Sequence, residues 1–161
     1  MAPIIAFLDF DGVISSPRAF IVNEGMDHDH RWMDPVSLKL IGKLQRDYGF
    51  QLVISSTWRG IGRPRLEAIL APYGLDSALH DDYRTGEDED RNRSVEINDW
   101  LNRHGWPEYI ILDDDGFEWS DEQRSRWVQS CSFNGFLLAN YEQADKLLKT
   151  IRQHNAPETP A

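Results

Sequence analysis

The chain has 161 residues, enough for one ordinary domain that buries its own core without covalent staples. Its 27 acidic against 17 basic residues leave a net charge of −10, which excludes a protein that coats nucleic acid through a broad basic surface. A single cysteine, Cys131, excludes a disulfide framework and a cysteine-based zinc cluster, and the longest apolar runs are too short to span a bilayer. Asp9 and Asp11 interrupt the apolar N-terminal segment, so no signal peptide is expected, and a reducing cytoplasm is the expected compartment.

In chain order, residues 3–8 read as a buried strand. Asp34 caps a helix whose first position is Pro35 and which stops near Gly49. A second buried strand covers residues 50–54, and Pro64 opens a helix that ends near Gly74. A short strand near Leu79 leads to a helix from about Arg93 to His104, with Trp100 on its core face and Gly105 as its stop. Residues 109–112 form another buried strand, Ser120 with Gln123 makes a capping box, and residues 135–139 read as a further strand. The last helix carries an apolar stripe of Ala144, Leu147, Leu148 and Ile151. Residues 1–154 are thus expected to form one domain and residues 155–161 a disordered tail. Strands alternating with helices mean an α/β domain with a parallel sheet covered on both faces, whose ligands bind beyond the carboxyl ends of the strands.

The residues after each strand therefore carry the chemistry. Asp9-Phe10-Asp11-Gly12 follows the first strand. Period-two alternation points both carboxylates the same way and turns Phe10 into the core. Like charges this close call for a cation, and their oxygen ligands suit Mg²⁺; a polar turn closed by Gly12 is the competing explanation. After the second strand come Ser55-Ser56-Thr57-Trp58-Arg59-Gly60. Hydroxyls and backbone amides there can hold a phosphate, and Arg59 can add bidentate contacts, although an ordinary loop has the same composition. After residues 109–112 come Asp113-Asp114-Asp115-Gly116. Beside Asp9 and Asp11 they complete a hard-cation site; alone they would read as a solvated turn.

Together, Phe7-Leu8-Asp9-Phe10-Asp11-Gly12-Val13, Leu52-Val53-Ile54-Ser55-Ser56 and Ile111-Leu112-Asp113-Asp114 resemble the first, second and fourth motifs of the haloacid dehalogenase-like (HAD) phosphohydrolase superfamily. The likeness runs from Phe7 to about Leu148. Ser56-Thr57-Trp58-Arg59 and Arg93-Ser94-Val95-Glu96-Ile97-Asn98-Asp99-Trp100-Leu101 resemble, more narrowly, the small capless phosphatase domains associated with RNA-repair proteins. Those are related to the 3′-phosphatase domain of polynucleotide kinase-phosphatase. The resemblance implies a three-layer Rossmann-like fold without a large cap, and roles for matching positions. Asp9 would be the nucleophile and Asp11 the acid and then the base. Mg²⁺ would be held by the Asp9 and Asp113 carboxylates and the Asp11 main-chain carbonyl, with Asp114 in support. Ser56 would hydrogen-bond the phosphoryl group, and Gly12, Thr57 and Arg59 would line the substrate. The third motif usually supplies a lysine, but none occurs between Lys43 and Lys146, so Arg93 is assigned that role, with Arg91 second.

The implied activity is Mg²⁺-dependent phosphomonoester hydrolysis through an aspartyl-phosphate. The substrate would be a phosphorylated small molecule or a nucleic-acid end, with no membrane partner. The alternative is a HAD-like phosphate- or partner-binding protein with little activity. Arg59, Arg63 and Arg65 are expected to form a local basic rim. His28 and His30 read as a solvated loop, and His80, His104 and His154 have no evident partners. Trp32, Trp58 and Trp119 either pack or stack on a base, and Cys131 reads as an ordinary buried thiol.

Overall fold

The computed structural model describes residues 3–155. The remainder of the expected C-terminal tail, beyond Asn155, lies outside the described residues. Five parallel strands form one sheet in the order β3-β2-β1-β4-β5, with β1 (Ile5–Leu8) at the centre, flanked by β2 (Gln51–Ile54) and β4 (Tyr109–Asp113). β3 (Leu79–Arg84) and β5 (Trp127–Gln129) are the edges. The central strand is a continuous apolar run because both its faces are covered. Ala6 and Leu8 face one layer, and Ile5 and Phe7 the other.

The first layer is built by α3 (Pro35–Tyr48), α4 (Arg63–Leu70) and α7 (Leu138–His154), which contribute Leu38, Ile41, Leu44, Leu66, Ile69, Ala144 and Leu148. The second is carried by α5 (Arg93–Arg103) through Ile97, Trp100 and Leu101. Trp100 is wholly buried, meets the Phe7 ring edge-on at 5.4 Å and donates its indole N–H to the Asp82 carbonyl at 3.1 Å. The helix ends follow local chemistry. Asp34 accepts the Val36 N–H at 2.9 Å, Pro35 opens α3, and Gly49 closes it in the left-handed region at φ +68°. Ser120 and Gln123 form the expected capping box on α6 (Asp121–Ser125).

Three expectations need correction. Residues 135–139 are not a strand. Gly135 turns at φ +74°, the Phe136 N–H donates to the Val13 carbonyl at 2.8 Å, and Leu137 already stands at the N-cap of α7, its N–H held by Asn140. The fifth strand is β5 instead, three residues paired in register with Ile111–Asp113. Secondly, the segment that carries His28 and His30 is not a loop: between β1 and α3 the chain folds into α1 (Pro17–Val22), capped by Ser16, and α2 (His28–Trp32), capped by Asp27. His28 and His30 thus lie on a helix, and Asn23 ties α1 to α2 by donating to the carbonyls of His30, Arg31 and Met33. Thirdly, Cys131 is exposed, on the tight turn that joins β5 to α7. No interval among the described residues holds a cap domain. No helix among them is long and apolar enough to cross a membrane.

Candidate active site

Register brings the site together. Leu8 pairs with Ile54 on one side and with Leu112 on the other, so the next residues, Asp9, Ser55 and Asp113, emerge side by side at the carboxyl end of the sheet. The Asp9 N–H donates to Leu112 O and the Ser55 N–H to Leu8 O, which keeps the three strand ends paired up to the site. One carboxylate oxygen from each of Asp9, Asp113 and Asp114 lies within 4.8 Å of the other two. Asp9 and Asp113 are buried and Asp114 half-buried.

Gly12 makes room for this cluster. Its φ of +79° is open only to glycine without strain, and a Cβ there would overlap the Asp114 carboxylate. Ser130 donates its hydroxyl to the Gly12 carbonyl at 2.6 Å, and the Trp127 indole donates to the Asp113 carbonyl at 2.9 Å. β5 and the turn after it are therefore tied to the end of β4 and to the loop after β1. Gly12 acts here as a space-giving residue.

Arg93, the first residue of α5, reaches between the two buried carboxylates. Its Nη1 lies 2.6 Å from Asp113 Oδ2 and 3.1 Å from Asp9 Oδ2, and its guanidinium lies over the Phe117 ring. This is the position assigned to the missing lysine. Arg91 lines the adjacent cleft and makes no such contact. One cation does not balance the cluster. Burial, and then the charge of Asp113, push Asp9 up to about 8. Burial likewise raises Asp113 to about 6, against the opposing pull of Arg93.

Asp11 stands apart. It is exposed, its carboxylate lies outside the three-carboxylate group, and Oδ1 accepts the indole N–H of Trp58 at 3.0 Å. Ser56 is buried and caps the 3₁₀ turn Thr57–Ile61, its oxygen accepting the Trp58 N–H. Thr57 is exposed on the cleft of about 460 Å³ that it shares with Arg93 and the acidic segment Glu87-Asp88-Glu89. Ser55 was not singled out in the sequence. Its hydroxyl is buried beside Asp9 without a partner among the described residues, and strand alternation with Val53 was the signal that pairs it with Asp9.

The arginines after the second strand do not form the expected rim. Arg59 is buried and forks onto Glu96, with Nη1–Oε2 3.0 Å and Nη2–Oε1 3.3 Å, so its guanidinium braces α5. Arg63 is turned to Glu67 and the His80 carbonyl, and Arg65 forks onto Asp29. Each arginine finds a nearer carboxylate in an acidic protein. The base-stacking alternative is lost for Trp119, buried in the second core, while Trp32 is half-buried with its ring tilted against Phe20. His80 and His104 do have partners: His104 Nε2 lies 2.8 Å from Asp82 Oδ2, and His80 Nδ1 accepts the Asp82 N–H, at the opposite end of α5 from Arg93.

Residues 5–140 match a protein-family model described as "HAD domain in Swiss Army Knife RNA repair proteins". No curated protein and no solved structure matches the chain significantly.

Proposed function

Since the chain belongs to the family of HAD domains found in Swiss Army Knife RNA repair proteins, we propose that it hydrolyses phosphomonoesters, with Asp9 as nucleophile and Asp11 as proton carrier. The observation that carries this reading is the division of labour among the carboxylates. Asp9, Asp113 and Asp114 converge against Arg93, while Asp11 is held apart on Trp58.

The donor set fits Mg²⁺. All three groups are hard oxygens, two are buried, and Arg93 leaves their charge uncompensated, so a dication is the natural complement. It would be held by the Asp9 and Asp113 carboxylates and the Asp11 main-chain carbonyl, with Asp114 in support. When bound it supplies positive charge that offsets the phosphate dianion and keeps Asp9 ionised near neutral pH.

The chain's own residues do the rest. The Asp9 carboxylate attacks phosphorus, and the bond to the ester oxygen breaks. That oxygen takes its proton from Asp11 and departs as the alcohol. Asp11, now ionised, removes a proton from water, which attacks the aspartyl-phosphate; inorganic phosphate leaves and both aspartates are restored. Arg93, 3.1 Å from Asp9 Oδ2, places guanidinium N–H groups where phosphoryl oxygens gather charge. The Ser56 oxygen accepts a backbone N–H, so its own O–H is free to donate to the phosphoryl group.

The absence of a cap domain among the described residues leaves the site open to a large substrate. The family's description makes a nucleic-acid end the first substrate class to try, with small phosphate esters as the other. A cytoplasmic setting completes the proposal. The test is phosphate release by the purified chain from 3′- and 5′-phosphorylated oligonucleotides, mononucleotides and aryl phosphates. We expect turnover with Mg²⁺ that EDTA removes. Turnover insensitive to EDTA would overturn the proposal, and tight phosphate binding without turnover would favour the binding-protein alternative.

A further inference from the structure

We propose that Trp58 is a positioning residue for Asp11: its indole N–H holds the carboxylate in place for proton transfer to the leaving oxygen. This rests on the reaction proposed above. An exposed aspartate on a loop would otherwise sample several rotamers, and general acid catalysis depends on one of them. Trp58 makes three contacts here, two through its ring and one through its backbone. Its Nε1 donates to Asp11 Oδ1 at 3.0 Å, its ring leans on Phe10 with centroids 5.6 Å apart, and its backbone N–H donates to Ser56 Oγ at 3.3 Å. Phe10 is the wholly buried residue between Asp9 and Asp11, so the indole is referenced to the strand that carries the nucleophile. Ser56 is the group assigned to the phosphoryl oxygens. One side chain therefore links the proton carrier, the strand of the nucleophile and the phosphoryl-binding loop. The neighbouring Arg59, forked onto Glu96, anchors the same turn from its other side.

The consequence is a dependence on leaving group. A substrate whose departing oxygen is strongly basic needs the proton from Asp11, whereas a nitrophenolate leaves nearly unaided. Trp58→Phe keeps a ring against Phe10 and removes only the donor. We expect it to lower kcat/KM about tenfold for alkyl phosphates and within about threefold for 4-nitrophenyl phosphate. In an Asp11→Ala background the same change should add nothing, because the two residues act as one unit.

A second measurement does not depend on how the Trp58 variant folds. Among the indole N–H signals of the six tryptophans, one should move strongly in the NMR spectrum of Asp11→Ala. A wild-type leaving-group dependence in Trp58→Phe, an equal loss on every substrate, or an unmoved indole spectrum would each overturn the proposal. Asp11→Ala with an unaltered leaving-group dependence would instead overturn the role given to Asp11, and this inference with it.

Discussion

Asp9 carries the clearest expectation at the scale of single residues. Asp9→Asn is nearly isosteric and removes the nucleophile, so turnover should disappear while circular dichroism and cooperative unfolding remain. A folded and active variant would refute the nucleophile. Gly12 makes a different point: its role is legible only where the chain packs. Glycine after two aspartates reads as a turn, yet the left-handed φ and the missing Cβ are what admit Asp114. Gly12→Ala should therefore cost about 1–3 kcal/mol of backbone strain and displace Asp114. Denaturant titration would measure the first effect, and a weakened Mg²⁺-induced rise in Tm the second.

Among elements, α5 is the one whose placement the site depends on most. Its first residue is Arg93, and its Glu96 meets Arg59 in a buried, bidentate pair. Removing one partner of such a pair strands the other without water, at a cost of about 3–5 kcal/mol. Arg59→Ala should thus destabilise the fold and lower activity through Arg93, with losses shared by large and small substrates. Arg65→Ala should do little, since Arg65 forks onto Asp29 at the exposed surface. Its salt dependence on a phosphorylated oligonucleotide should match wild type; a slope reduced by about one unit would restore Arg65 as a phosphate contact. The sequence pointed to both arginines by proximity to the second motif. It could not show which carboxylate each would find, because Glu96 and Asp29 lie 37 and 36 residues away along the chain.

For the molecule as a whole, the buried carboxylates make stability depend on pH and metal together. Asp9 at about 8 and Asp113 at about 6 hold protons more tightly than in the unfolded chain, so the native state binds more protons between about pH 4 and 8. Stability of the metal-free protein should then fall as pH rises through that window. Mg²⁺ competes with those protons, so the Tm gained on adding it should grow with pH. Melting curves in EDTA and in Mg²⁺ from pH 5 to 8 check this; a flat metal-free profile would contradict it. The strand ends, the helix caps and the aspartates that follow β1 and β4 were legible in the sequence, because each depends on neighbours a few residues away. β5 was not, because three residues in polar surroundings carry no period, and the apolar run at 135–139 belongs to a turn and a helix start. The same division holds at the site. Local pattern picked out the carboxylates that could bind a cation, and the family resemblance put an arginine forward in place of the lysine. Only the tertiary structure decided that Arg93 bridges Asp9 and Asp113, that Arg59 serves Glu96, and that Trp58 holds Asp11. Those pairings join residues 20 to 84 positions apart, and a side chain's partner is chosen by what the fold brings within reach.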